Sequence, residues 1–303
     1  MKLLTVRHVT TYRYKQPVSF GEHRMMLRPR DSYDQRLIEA RLVIDPEPAV
    51  LNWTHDAFGN CVAIARFSGR ADSLTFDSTI RLDHERNNAL EFELEDYARE
   101  YPFSYSSEEV PDLLRTIERQ YLDRDRDVDR WAHQFLKKQG ATGTRELLAA
   151  MTHAIHERFT YVSRAEVGTQ DPAVTLKLGS GSCRDFALLM MEAVRSLGLA
   201  ARFVSGYLAP SGRVDLKRLG GESTHAWLEV YLPGAGWIEY DPTNGLIGNE
   251  DLIRVAVVRD PRQAVPISGT WTGFHSDFVD MTVDVAVIPE ERAAPTEAAR
   301  ALA

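Results

Sequence analysis

Three residues in chain order, Cys183, His225 and Asp241, are of the types that a thiol nucleophile, its base and the group orienting that base require. A thiolate attacks a carbonyl, an imidazole manages the proton, and a carboxylate fixes the imidazole's tautomer and steadies its cation. Cys183 follows four small residues, Gly179-Ser180-Gly181-Ser182, and precedes Arg184-Asp185. Small residues let backbone come close to a substrate. Beyond them Phe186, Ala187, Met190, Ala193, Val194 and Leu197 recur at helical spacing and stop at Gly198, the residue type that closes helices. The spacing predicts a buried helix with Cys183 in its first turn. There the unpaired N–H groups and the helix dipole favour an anion. Thiols so placed titrate at roughly 3.5–7.5 instead of ~8.5.

The other two residues need a sheet to hold them. Ser223-Thr224-His225-Ala226-Trp227-Leu228-Glu229-Val230 opens a strand at the histidine, and Gly236-Trp237-Ile238-Glu239-Tyr240-Asp241 ends one at the aspartate. Pro233-Gly234-Ala235-Gly236 between them is a hairpin loop. Side chains alternate along a strand, so register decides whether His225 and Asp241 share a face. Pairing Val230 with Ile238 and Leu228 with Tyr240 makes His225 the diagonal neighbour of Asp241. A slip of one residue sets Val230 against Glu239 and parts the two site residues, so the first register is expected. It leaves Glu229 facing Glu239, a like-charge pair that needs a cation; Arg202 on the preceding strand is the candidate.

Other polar and aromatic residues divide between site and scaffold. Trp227 and Trp237 flank the site on neighbouring strands, as core aromatics, as a wall of the acyl pocket, or as both. The backbone N–H of Cys183 is one oxyanion donor, and Tyr161 or Gln170 is available as the second. Cys61 sits in the alternating run Cys61-Ala63-Ala65-Phe67 and reads as structural. His153, His156 and Glu157 lack the second histidine of a zinc helix, because position 160 is Thr. No metal and no cofactor are therefore expected. His275, in Gly273-Phe274-His275-Ser276, is a rival base without a carboxylate partner. Asp185 suits the first turn of a helix whatever else it does.

Residues 1–95 alternate apolar and polar positions, as in Leu74, Phe76, Ser78, Ile80 and Leu82, with breaks at Pro46-Glu47-Pro48 and Phe58-Gly59-Asn60. That pattern predicts an antiparallel β domain of the sandwich type. Residues 96–145 form a helical joint, with one helix expected over 112–139 whose alternating charges at 123–127 mark a solvated face or a break. Residues 146–288 form the core. It opens with a helix at about 145–158 for which Thr144 is the N-cap, and includes a polar loop over 209–223. Strands are expected at 252–258 and 281–288, with a disordered tail at 289–303.

Gly181-Ser182-Cys183-Arg184-Asp185, Gly198 through Tyr207, His225-Ala226-Trp227, and Gly236-Trp237 through Tyr240-Asp241-Pro242-Thr243 together resemble the transglutaminase-like superfamily of papain-like thiol enzymes. His8-Val9-Thr10-Thr11-Tyr12-Arg13-Tyr14 and Phe58-Gly59-Asn60 are similar to the N-terminal domain that accompanies this core in bacterial members. The resemblance implies an α+β fold, in which a helix carrying the cysteine packs on an antiparallel sheet carrying His and Asp. It also implies acyl chemistry at Gln-like or peptide amides, with Cys183, His225 and Asp241 as the triad.

Composition excludes other classes. The net charge of −8 opposes a nucleic-acid partner. No apolar run approaches the ~20 residues of a membrane span, and residues 1–8 lack a signal peptide's apolar region. Two cysteines make no disulfide framework, so a cytoplasmic protein is expected. The expected partner is a peptide or protein substrate, and hydrolysis by a protease or amidase is the favoured outcome. Glutamine–lysine crosslinking, and a non-catalytic binding module on the same fold, are the alternatives.

Overall fold

The computed structural model describes residues 2–85, 92–164, 168–210, 219, 223–248 and 251–290. The chain is α+β: an antiparallel β unit joined to a core in which one helix lies on a five-stranded sheet. The β unit is built on Lys2–Met25, a single strand of 24 residues. Its first half pairs with Ala71–His84 on one side and Phe278–Glu290 on the other. Its last residues pair with Cys61–Arg66 and Ile267–Thr272. The register jumps between Arg13 and Val18, where the strand passes from one layer to the next. Gln35–Asp45 and Val50–His55 form the outer positions. An apolar cluster that includes Tyr14, Phe20, Met25, Ala65, Leu74 and Phe76 draws on both layers. Leu74, Phe76, Ser78, Ile80 and Leu82 are all buried, as their period of two requires.

Three expectations fail here: the last strand's place in the core, the single helix of the joint and the Thr144 cap. The strand expected at 281–288 exists as Phe278–Glu290, but it pairs along Lys2–Met25 and belongs to the N-terminal sheet. Period-two patterning identifies a strand without naming its partner. The helix expected over 112–139 is two helices, Val110–Ile117 and Asp127–His133. The charged run is the break: Arg126 takes a left-handed φ of 55°, and the Asp123 carboxylate accepts the Asp127, Val128 and Asp129 N–H groups at 2.8, 3.4 and 3.0 Å. A carboxylate that satisfies three orphan donors starts the second helix afresh. The helix Thr144–Arg158 begins as expected, but the Thr144 hydroxyl donates to Ala98 O at 2.7 Å and makes no cap. Of the expected tail only residues 289 and 290 are described, within the last strand; the loop at 209–223 lies largely outside the described residues.

The core sheet runs in the order Leu246–Ile247, Gly236–Asp241, His225–Leu232, Ala201–Leu208, Leu252–Val258. Cys183–Ser196 lies across it, packed against its central strands and against the helices Asp127–His133, Thr144–Arg158 and Pro172–Leu178. This helix is buried on every side, including Glu192 and Arg195. Those two charges are paired at 2.9 Å and further bonded to backbone at Gln120, Ala201 and Arg259, as buried charges must be.

The two units meet along the edge strand Leu252–Val258. Gln35 bonds both the carbonyl (2.9 Å) and the N–H (3.0 Å) of Arg254. Asn60 does the same for Val257, at 2.9 Å each. Two carboxamides thus stand in for a missing strand and close an edge that would otherwise be open to pairing.

The expected hairpin register is present: Leu228 pairs with Tyr240, Glu229 with Glu239 and Val230 with Ile238. The loop between has an odd count, and Gly234 and Gly236 adopt φ of 89° and 76°. Arg202 bonds Glu229 at 2.6 Å, as proposed from the sequence. A second cation does as much. Arg254 reaches Glu239 at 2.9 Å and also bonds Asp34 of the β unit.

Candidate active site

The approach to Cys183 is set by local rules. Asp171 caps Pro172–Leu178 through the Ala173 N–H at 2.9 Å, and Gly179 ends that helix at a left-handed φ of 59°. Ser180 and Gly181 then form a short parallel bridge with Thr160 and Tyr161. Gly181 must be glycine, because a Cβ there would lie 2.8 Å from the Cβ of Asp185. Ser182 is the N-cap and Cys183 the first residue of the helix, so the Cys183 N–H has no intrahelical acceptor.

Asp185 holds this turn together. Its fully buried carboxylate accepts from the Ser182 N–H and hydroxyl (both 2.8 Å), the Gln170 N–H (2.7 Å) and side chain (3.3 Å), and Arg164 (2.9 Å). Burial alone would raise its pKa, but these donors outweigh it and hold the carboxyl below the ordinary range. Gln170 is thereby spent, since its side chain also donates to Ser180 O at 3.1 Å. Arg184 turns away from the site: it lies 4.9 Å from the Phe203 ring and donates to Pro261 O at 2.7 Å.

His225 and Asp241 stand where the register sets them, both buried, with Nε2–H donating to Oδ2 at 2.8 Å. Burial by itself lowers the imidazole's pKa. The Asp241 carboxylate, and after it Cys183, reverse that and raise it to about 10. Asp241 is lowered against its own burial by His225, Asn244 and Thr243. Nδ1 of His225 is buried and has no hydrogen-bond partner among the described residues. It is the ring nitrogen not engaged by Asp241.

Of the aromatic residues, Trp227 is buried and stacked on His225, with centroids 5.9 Å apart. Tyr161 is half-buried, and its phenol is pushed up to about 12 by burial first, with Cys183, Asp241 and Asp185 adding to the rise. Trp237 is not brought to His225 and Asp241. It precedes Asp241 by four residues, about 13 Å along a strand, and Arg202 lies 4.0 Å over its ring. His275 is exposed, in the turn before Phe278–Glu290. His156 bonds the Thr243 carbonyl at 2.9 Å beside the Asp241 turn.

One site residue escaped the sequence reading. Asn244 Nδ2 donates to Asp241 Oδ2 at 2.9 Å, while Asp241 Oδ1 accepts the Thr243 N–H at 2.9 Å. The signal available was local: a carboxylate that bonds backbone two residues on makes an Asx turn and brings the residue after it back toward its own side chain.

Residues 4–83 match the bacterial transglutaminase-like N-terminal region, and residues 130–242 match the transglutaminase-like superfamily. The chain belongs to the transglutaminase-like superfamily. It is 30% identical to the uncharacterized protein Rv2569c of Mycobacterium tuberculosis, over 92% of this chain and 91% of that one. A stretch covering 35% of the chain is 31% identical to 17% of a protein-glutamine gamma-glutamyltransferase of Pseudomonas aeruginosa. A crystal structure named "Putative Cysteine Protease from Cytophaga hutchinsonii" shares the fold at a TM-score of 0.69 and 19% identity, covering 96% of this chain and 92% of that one. Among the described residues no helix is long and apolar enough to cross a membrane.

Both thiols are free. Cys61 has an unexpected neighbour, with Sγ 3.8 Å from His55 Nε2, but among the described residues no carboxylate bonds that ring as Asp241 bonds His225. Iodoacetamide labelling read by peptide mass spectrometry is expected to favour Cys183 on the order of 10- to 100-fold at about pH 6.5, where an ordinary thiol is ~1% ionised. Equal rates would remove Cys183 from the nucleophile's role.

Proposed function

We propose that the protein is a cysteine-dependent hydrolase of peptide or carboxamide bonds, working through a thioester. The observation that carries this reading is the buried His225–Asp241 pair, bonded through Nε2, with Nδ1 free to serve Cys183. Cys183 thiolate adds to the carbonyl carbon, and the C–N bond breaks as His225 gives its proton to the departing amine. The thioester then takes water. His225 removes a proton from it, the C–S bond breaks, and the acid leaves with the thiol restored.

The Cys183 N–H supplies one oxyanion donor. The Tyr161 phenol supplies the second, since Gln170 is committed to Asp185 and Ser180 and the Tyr161 phenol, pushed up to about 12, keeps the proton it would donate. Trp227 fixes the imidazole from behind, as the stacking supports. A peptide or protein in a reducing, cytoplasmic setting is the substrate in this reading, consistent with two free thiols.

The name of the Pseudomonas relative favours a second outcome, amine transfer from a glutamine side chain to lysine. Product profiling in a lysate, wild type against Cys183→Ala, separates the two. New peptide termini or deamidated glutamines that need Cys183 support hydrolysis; glutamine–lysine crosslinks with no hydrolysis would replace it. Tyr161→Phe should lose on the order of 10²–10³ in turnover while Cys183 still alkylates at the wild-type rate. No Cys183-dependent product of either kind, with slow thiol labelling, would point to a binding module.

A further inference from the structure

Asn244 is more than a turn residue. Its carboxamide Nδ2 donates to Asp241 Oδ2 at 2.9 Å, the same oxygen that His225 Nε2–H uses at 2.8 Å. On its far side Asn244 makes a two-point contact with Leu219: Oδ1 accepts the Leu219 N–H at 3.0 Å, and Nδ2 donates to the Leu219 carbonyl at 3.3 Å. Leu219 belongs to the stretch that joins Ala201–Leu208 to the strand opening at His225. One half-buried side chain therefore bonds the acidic member of the triad and the backbone of the connection leading into the basic member.

We propose that Asn244 is a positioning residue for the thiol chemistry, holding Asp241 Oδ2 in line for His225 and fastening Leu219 beside the pair. The inference rests on the triad reading above. A carboxylate bonded only to an imidazole can rotate about its last torsion, which is broad. Asp241 cannot. Oδ1 is held by the N–H groups of Thr243 and Asn244, at 2.9 and 3.3 Å, and Oδ2 by the Asn244 side chain, which leaves His225 a fixed acceptor. The local backbone serves the same end. Gly245 takes a φ of 67°, and a Cβ there would press within 3.0 Å of the His156 ring that bonds Thr243.

The test compares full-length wild type, Asn244→Ala, Asn244→Ser and His225→Ala, each checked for fold by circular dichroism. The first readout is the pH midpoint of Cys183 alkylation by iodoacetamide; the second is hydrogen exchange at the Leu219 amide. Asn244→Ala should move the midpoint upward by about 0.5–1 unit, a three- to tenfold loss of thiolate at a pH below both midpoints, and should speed Leu219 exchange. Asn244→Ser keeps a short donor near Asp241 without the reach to Leu219. It should give a midpoint between those of Ala and wild type with exchange as fast as in Ala, and it carries the test if Ala does not fold. A wild-type midpoint in a folded Asn244 variant overturns the positioning role, and unchanged exchange overturns the link to Leu219. If His225→Ala also leaves the midpoint unmoved, the thiol–imidazole reading itself is at fault, which separates the two failures.

Discussion

Asp241→Asn is expected to cut turnover by roughly 10²–10⁴ while leaving the fold in place. An amide fills the same space, so the buried volume is kept. It can present Nδ2–H where Oδ2 now accepts, which turns the imidazole to the wrong tautomer or out of line. The charge is lost as well, and with it much of the reason His225 is raised to about 10. The same change has a signature in stability. His225 is raised from 6.5, so its share of the ion pair is full below about 6.5 and fades as pH rises through about 10. Asp241 is lowered from 3.8, so its share is present above about 3.8 and fades as pH falls through the folded value. The stability lost by the variant should therefore be greatest between about pH 4 and 6.5 and shrink toward pH 10. Urea unfolding across that range reads it directly. A folded Asp241→Asn protein with wild-type turnover would remove Asp241 from the mechanism.

Arg254→Met is expected to cost about 3–5 kcal/mol, because it leaves the buried Glu239 carboxylate without its cation. Arg254 bonds Glu239 at 2.9 Å, lies 3.9 Å from Glu229 and bonds Asp34 across the junction of the two units. All three carboxylates are buried. Burial already pushes Glu239 upward, Arg254 opposes that, and Glu229 adds to it. Without Arg254 the Glu239 carboxylate either stays charged at high cost or takes up a proton. The deficit should thus shrink as pH falls, and Arg254→Met with Glu239→Gln should recover part of it. A loss below about 1 kcal/mol at neutral pH, the scale of an exposed pair, would show that this cluster is not holding the junction.

Much of the site was open to reading from residue types and spacing. The small residues before Cys183, the apolar helical period after it, and Gly198 at its end place Cys183 at a helix start, as the structure has it, because helix start and stop signals are local. Hairpin parity placed His225 and Asp241 on one face, since a one-residue slip would have set Val230 opposite Glu239 and parted the two side chains. The like-charge pair that this register forces predicted a cation at Glu229, and Arg202 is there.

Local pattern could not say which distant segments meet. Phe278–Glu290 has the alternation of any strand, and its pairing with Lys2–Met25 is decided by long-range contacts between the two ends of the chain. Gln35 and Asn60 look like ordinary polar residues until the edge of Leu252–Val258 arrives beside them and needs its backbone groups satisfied. Arg254, 25 residues past Glu229, and Asn244, bonded to both Asp241 and Leu219, owe their roles to the same cause. A buried polar group takes whatever partner the fold brings within 3 Å or so, and no periodicity in the chain encodes that partner. The sequence alone therefore determined the helix start at Cys183 and the face that His225 and Asp241 share, through signals a few residues long. Tertiary structure decided what holds them: the two carboxamides on the sheet edge, the arginine at the junction, and the asparagine behind the aspartate, because burial turns an indifferent polar side chain into an obligatory bond.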